Sequence, residues 1–239
     1  MTQNIVVFGG GGAIGNALSG MIRKLYSDAL LHIVSSKEIE DKFPLSEYYL
    51  IDYKDEEGLK TISQKIASFG SIDLLIVASG ILHSSDIKPE KSLRDLDVTN
   101  FQRVFFANSI FPAMIAKYFV PLLSRDERAV IAMLSARVGS ISDNQLGGWY
   151  AYRASKAALN MIIKTTAIEV SRNRKQAIVV GLHPGTVKSE LSRPFTANIA
   201  HDKLFTPDYA AKKLLNVIET LKVDDSGKCF AWDGQEILP

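Results

Sequence analysis

Thiols are nearly absent from this 239-residue chain: Cys229 is its one cysteine, so no internal disulfide can form. That fits a reducing compartment, and a cytoplasmic setting is expected. Cys229 itself reads as a small apolar residue in a terminal strand. No early segment joins a basic start, an apolar run and a cleavage site, so no export signal is read. No unbroken apolar run approaches the ~20 residues that span a bilayer. An excess of one charge is also missing, since the net charge is +2 and both signs are interspersed. Without a basic block or aromatic-basic interleaving, no nucleic-acid partner is expected. His32, His83, His183 and His201 are scattered and form no metal-spaced cluster. Repeats, low-complexity stretches and linkers are lacking too. The length suits one domain over residues 1–239, able to bury roughly 70–75% of its unfolded surface.

Against these absences stands a regular alternation. Asn4–Phe8 is a short apolar run ended by glycines, and Ala13–Tyr26 then carries Ile14, Leu18, Met21, Ile22 and Leu25 at helical spacing. Leu30–Val34 and Tyr48–Ile51 read as strands, and the link between them contains Pro44 and suits no full helix. Glu56–Phe69 reads as helix and Ile72–Ala78 as strand. A long helix follows from a Thr99 cap to about Leu123. Val130–Leu134, Ala177–Leu182 and Lys228–Trp232 complete the strands, and Trp149–Arg172 and Pro207–Leu221 the helices. Strands alternating with helices imply βαβ units. The expected fold is α/β, a Rossmann-type doubly wound parallel sheet of about seven strands with helices on both faces.

The first turn, Gly9-Gly10-Gly11-Gly12-Ala13-Ile14-Gly15, follows a strand and opens a helix. Glycines there allow a tight turn and close approach to a pyrophosphate, and the helix N-terminus offers N–H groups and partial positive charge to it. Two phases fit, Gly10/Gly12/Gly15 and Gly9/Gly12/Gly15. The second strand ends at Ser35-Ser36-Lys37, with no acid to hold a ribose 2′-hydroxyl. Hydroxyls and a cation suit a 2′-phosphate, so NADP(H) is preferred, with NAD(H) as the second choice. Asp52, after the third strand, is a candidate for the adenine edge.

Tyr152 and Lys156 lie four apart in a helical segment and share a face. A neighbouring ammonium favours the phenolate, which lowers the Tyr pKa from ~10 and suits it to proton exchange with a carbonyl oxygen. Tyr150 lies six residues from Lys156 and so on another face.

Gly9–Gly15, Asp52, Asn108, Ser135, Tyr152 and Lys156, in this order, resemble the short-chain dehydrogenases/reductases over about residues 4–232. Within that family the chain is most similar to the C-factor (C-signal) group. That likeness rests on Ser135-Ala-Arg-Val-Gly-Ser140, Gly147-Gly-Trp-Tyr150, His183-Pro-Gly-Thr-Val187 and Trp232-Asp-Gly-Gln-Glu-Ile237. The resemblance implies Tyr152 as acid/base and Lys156 as holder of the nicotinamide ribose. It implies Ser135 as holder of the substrate oxygen, and Asn108 as holder of a relay water through its backbone. Gly9, Gly11, Gly12, Ala13, Ile14, Ser79 and Gly80 would then border the cofactor. Pro184, Gly185 and Val187 would line its nicotinamide, with Ser189 at the carboxamide. The chain departs from the family pattern at Ala13, where a glycine is usual, and at Val77-Ala78-Ser79-Gly80, which lacks polar amide side chains. Ser140 and Ser142 lie nearer Tyr152 in sequence than Ser135, but Ser135 directly follows a strand that can position it.

The expected function is interconversion of a carbonyl and an alcohol on a small apolar or aromatic molecule. Residues 188–206 lack periodicity and are expected to form a substrate lid, with Leu191, Phe195 and Phe205 facing the pocket. The family resemblance also implies a homodimer or homotetramer built through the helices at 99–123 and 149–172. The alternative reading is a dinucleotide-binding signalling protein of C-factor type with little turnover.

Overall fold

The computed structural model describes residues 3–196 and 203–239. Strands β1 (Asn4–Phe8), β2 (Leu30–Ser35), β3 (Ser46–Leu50), β4 (Leu74–Val77), β5 (Ala129–Leu134) and β6 (Ala177–His183) are followed by two short pieces, β7 (Thr186–Val187) and β8 (Leu204–Phe205). Strands β9 (Cys229–Ala231) and β10 (Glu236–Ile237) close the chain. The main sheet has eight strands in the order β10-β9-β6-β5-β4-β1-β2-β3. Every pairing within it is parallel except β10 on β9. The expectation of about seven strands is therefore one short. The two-residue β10 has too few positions to show any period. The β7–β8 ribbon, also two residues a side, escapes a sequence reading for the same reason.

The helices are α1 (Ala13–Leu25), α2 (Glu56–Ala67), α3 (Val98–Phe105), α4 (Phe111–Phe119), α5 (Tyr150–Asn173) and α6 (Pro207–Thr220). No helix lies between β2 and β3. Alternate residues of β1 serve opposite layers. Val6 and Phe8 join Leu59, Ile66, Phe111 and Leu159 beneath α2, α4 and α5. Ile5 and Val7 join Leu18, Ile22, Leu214 and Ile218 beneath α1 and α6. A parallel sheet covered on both faces needs such continuous apolar strands. Each fully buried Leu, Ile or Phe contributes about 1.5–3 kcal/mol by leaving water. Phe8 meets Phe119 edge-on at 5.0 Å and Phe111 at 6.1 Å.

The long helix expected from Thr99 departs from its sequence reading. Its cap is Asp97, whose carboxylate accepts from the Asn100 N–H at 2.8 Å. A π-helical turn, Phe106–Ile110, separates α3 from α4. Such insertions are costly and concentrate at functional sites. Val98–Leu122 is long and apolar enough, by length and composition alone, to cross a bilayer. It is instead a core helix, burying Val104, Phe111, Ile115 and Phe119. Its Arg103 and Lys117 pair with Asp86 and Glu56.

His32, on β2, is fully buried. Its Nδ1 meets the Tyr49 hydroxyl at 3.1 Å, while Nε2 has no partner among the described residues. Burial, reinforced by Lys65, lowers its pKa to about 4. The unfolded imidazole titrates near ~6.5, so between these values the unfolded chain binds more protons than the folded one. Stability should therefore fall as pH drops from about 6.5 towards 4. His183, lowered to about 4 chiefly by burial, adds to the effect. In thermal melts across this window His32→Leu should show a shallower fall than wild type, and identical slopes would contradict the assignment.

Candidate active site

The chain runs from β1 outward to β2 and β3, then returns to β4 on the other side of β1. Ligands of such sheets sit outside the carboxyl ends of the strands at this reversal. The glycine turn lies there. Gly9 has φ of 81°, and its N–H donates to the Val34 carbonyl at 2.9 Å. A side chain on Gly9 would come within 2.7 Å of the Ser79 nitrogen, and one on Gly15 within 2.2 Å of the Gly9 carbonyl. The Gly12 N–H closes onto the same carbonyl at 2.9 Å. Gly9, Gly12 and Gly15 thus form one interlocked set, which selects that phase of the motif. Gly11, Gly12 and Ala13 are exposed at the start of α1, whose first turn carries no acid and no side-chain cap. Free N–H groups and the helix dipole are features that suit an anion.

The second half of the site is built on α5. Tyr152, Lys156 and Asn160 recur every four residues and share a face. Lys156 is 4% exposed, and its Nζ donates to the last carbonyl of β5, Leu134, at 2.8 Å. Burial lowers its pKa to about 8, so the ammonium persists at neutral pH. Its Nζ lies 5.8 Å from the centre of the Tyr152 ring. The expectation of a lowered Tyr152 pKa is corrected here: burial pushes it up to about 12. Desolvation of the phenolate is the cause, and the neighbouring ammonium is turned towards Leu134.

Ser135 follows β5 and is 5% exposed, and its hydroxyl donates to Asn160 Oδ1 at 2.6 Å. Ser140 and Ser142 face each other instead, and Ser142 donates to the Pro239 carbonyl. The fully buried Asn108 sits in the π turn. Its amide donates to Ile81 O and Ser155 Oγ, and its Oδ1 accepts from the Ile81 N–H. Ser109 adds a bond to the Ser155 carbonyl at 2.7 Å. The π turn therefore clamps the loop after β4 to the helix that carries Tyr152.

A cavity of about 250 Å³ joins Ile14, Ser79, Gly80, Ser135, Tyr152, Lys156, Pro184, Gly185, Val187 and Ser189. Ser79 Oγ is buried without a partner among the described residues. This orphaned hydroxyl and the glycine cradle fit a dinucleotide that passes from the α1 N-terminus into the cavity. Ser35 and Lys37 line a separate groove together with Glu38, Glu40 and Lys42. Ser35 Oγ is buried and accepts from the Lys37 N–H at 3.0 Å, so it shapes the turn, while Ser36 and Lys37 are exposed. Asp52 is exposed and caps the following turn through the Lys54 N–H, outside both cavities.

Leu191 and Phe195 line the cavity, as expected of the lid segment. Phe205 does not: it packs on Trp232 at 4.7 Å and Tyr209 at 4.8 Å. Residues 197–202 of that segment, including His201, lie outside the described residues. Phe195 contacts Trp149 at 5.0 Å and His83 at 5.5 Å, and His83 Nε2 meets the Glu190 carbonyl at 2.9 Å. The sequence reading missed Arg137, which lines the cavity, and two residues behind its wall, His83 against Phe195 and Asn160 against Ser135. Only Asn160 carried a usable signal, its place one turn beyond Lys156.

A family model described as short chain dehydrogenase matches residues 3–200. The chain is 31% identical to C-signal of Myxococcus xanthus over 146 residues, covering 61% of this chain and 82% of that protein. It is 28% identical to 1-hydroxy-2-glutathionyl-2-methyl-3-butene dehydrogenase of Rhodococcus sp. (strain AD45), covering 77% and 76% of the two chains. Among solved structures it matches the carbonyl reductase Sniffer of D. melanogaster with a TM-score of 0.87 at 21% identity, over the whole of both chains. It also matches an NADPH-bound carbonyl reductase from chicken fatty liver with a TM-score of 0.85 at 20% identity, over 100% and 94%.

Helix α5 starts without a cap of its own. Trp149, at the cap position, is left-handed with φ of 51° and places its ring on the cavity wall. Glu90, 3% exposed, supplies the missing acceptors. Its carboxylate takes the Ala151 N–H at 3.2 Å and its carbonyl the Trp149 N–H at 2.5 Å. Loss of a cap costs about 0.5–2 kcal/mol. Glu90→Ala should thus lower Tm by about 1–8 °C in calorimetry, and Glu90→Gln should restore most of it. An unchanged Tm in the alanine variant would refute the capping role.

Proposed function

The chain belongs to the short-chain dehydrogenase family, and we propose that within it the protein is an NADP(H)-dependent reductase of small apolar or aromatic carbonyls, reversible to the alcohol. The observation that carries this reading is the convergence of Tyr152, Lys156 and Ser135 on one cavity at the strand ends. A bound dinucleotide would supply the hydride. Gly9, Gly11, Gly12, Ala13 and Ile14 would seat its pyrophosphate, Ser79 and Gly80 would border its ribose, and Pro184, Gly185, Val187 and Ser189 would hold its nicotinamide end. Ser36 and Lys37 favour a 2′-phosphate, with Ser35 fixing their turn. Asp52 is proposed for the adenine edge.

Tyr152, whose pKa burial raises to about 12, would donate its proton to the substrate oxygen. Lys156 would hold the ribose hydroxyls and stabilise the phenolate left behind, and Asn108 would carry a relay water on its backbone. Leu191, Phe195 and Trp149 make the substrate wall apolar and aromatic. The NADPH-bound relative from chicken supports the cofactor choice. Exposed Val98, Ile110, Met161 and Ile168 on the α3–α4 and α5 surfaces support assembly into a homodimer or homotetramer.

A second reading, a dinucleotide-binding signalling protein with little turnover, draws on the likeness to C-signal. The complete Asn108, Ser135, Tyr152 and Lys156 set favours the enzyme, because a binder has no use for a half-buried phenol beside an ammonium.

Fluorescence titration should give tighter binding of NADPH than NADH, and the reverse order would overturn the cofactor choice. With NADPH and a panel of aryl aldehydes and ketones, Tyr152→Phe should lose ~10²-fold or more in kcat. Near-wild-type turnover would sink the mechanism. The rate of carbonyl reduction should also fall as pH rises through about 8, where Lys156 loses its charge. A flat profile from pH 7 to 9 would contradict that role.

A further inference from the structure

Ser135 has one proton to give, and at rest it gives it away from the cavity. Its Oγ donates to Asn160 Oδ1 at 2.6 Å. The orientation of that amide is set by its neighbours. Oδ1 also accepts from the Cys229 thiol at 3.2 Å, and Nδ2 faces the Gly139 carbonyl at 3.5 Å. Turning the amide over would set the NH₂ group against the Cys229 thiol and the oxygen against the Gly139 carbonyl. Burial raises the Cys229 pKa to about 11, so the thiol keeps the proton it donates. Asn160 is therefore a fixed acceptor behind Ser135.

We propose that Asn160 is a positioning residue, and that it makes the hydrogen bond from Ser135 to the substrate oxygen specific to the transition state. The inference rests on the carbonyl-reductase reading above. A neutral ketone oxygen competes with the neutral Asn160 carbonyl for the same O–H, and exchanging one acceptor for the other gains little. As hydride reaches the carbonyl carbon, negative charge builds on the oxygen. Hydrogen bonds to ionised acceptors are about twice as strong as neutral ones, so the Ser135 O–H then turns from Asn160 to the substrate. No proton leaves Ser135. Interactions realised only in the transition state raise kcat, whereas those already present in the bound ground state are spent on KM. Asn160 thus moves the contribution of Ser135 from KM to kcat.

The test is Ser135→Ala in two backgrounds, wild type and Asn160→Ala, with NADPH and whichever aryl aldehyde or ketone wild type reduces fastest. In wild type, Ser135→Ala should lower kcat ~10²-fold and leave KM nearly unchanged. In Asn160→Ala the Ser135 donor is free in the ground state, so the same change should raise KM about 2–10-fold. Equal effects on kcat and KM in both backgrounds would overturn the proposal. Asn160→Asp, nearly isosteric, guards against failure of the alanine variant to fold. Its carboxylate should hold the Ser135 proton once ionised, so kcat relative to wild type should fall as pH rises through the pKa of that group. A pH-independent ratio would contradict the role. Neutron diffraction on wild-type crystals exchanged into D₂O needs no turnover. A Ser135 deuteron pointing at Asn160 supports the assignment, and one pointing into the cavity overturns it. Absence of any carbonyl turnover would remove the proposed function, while the deuteron position would still decide the resting role of Asn160.

Discussion

A buried ammonium on a strand-end carbonyl organises this molecule. Lys156 Nζ donates to Leu134 O at 2.8 Å with the side chain 4% exposed. A cation so enclosed is stable only where its desolvation is offset by oriented acceptors. The bond therefore holds α5 at the end of β5. Its remaining donors and its charge are left for the cavity. The lowering of the Lys156 pKa to about 8 follows from the same enclosure.

Once α5 is fixed there, the helical repeat sets the chemistry. One face carries Tyr152, Lys156 and Asn160 at its first turns, and the same face, continued along the helix, buries Leu159, Ile163, Ala167 and Val170 in the core. Two neighbours hold this ruler in place. The π turn grips Ser155 through Asn108 and Ser109. Glu90 caps the start of the helix, which frees the cap position for Trp149. Backbone conformations costly elsewhere, a π turn and a left-handed Trp, lie next to the helix turn that carries Tyr152. The surrounding hydrogen bonds over-determine both.

The alternation of apolar runs and amphipathic stretches made the α/β architecture readable, because each strand of a covered parallel sheet must be apolar along its length. That Ser135, Tyr152 and Lys156 share one cavity was readable for a related reason: each stands at a fixed offset from a strand or helix end. Features set by tertiary contact were not. The π turn has no sequence period of its own, and Asp97 displaced Thr99 as cap only through local geometry. The strand β10 is two residues long. The Tyr152 pKa depended on burial, which no spacing encodes, and burial reversed the direction inferred from the Tyr–Lys pair alone. Phe205 read as a lid residue because its partners Tyr209 and Trp232 are brought to it by the fold. His83 and Asn160 became site residues only when the loop after β4 and the β5 end were placed against Phe195 and α5.

The central claim is that this cavity moves a hydride to a carbonyl carbon. The direct measurement is transfer of label from NADPH deuterated at the reactive C4 position to an aryl carbonyl, read by mass spectrometry of the alcohol. The account predicts one deuterium on the carbinol carbon, formed in proportion to cofactor oxidised. Cofactor bound at the glycine turn with no deuterium delivered to any carbonyl would contradict it.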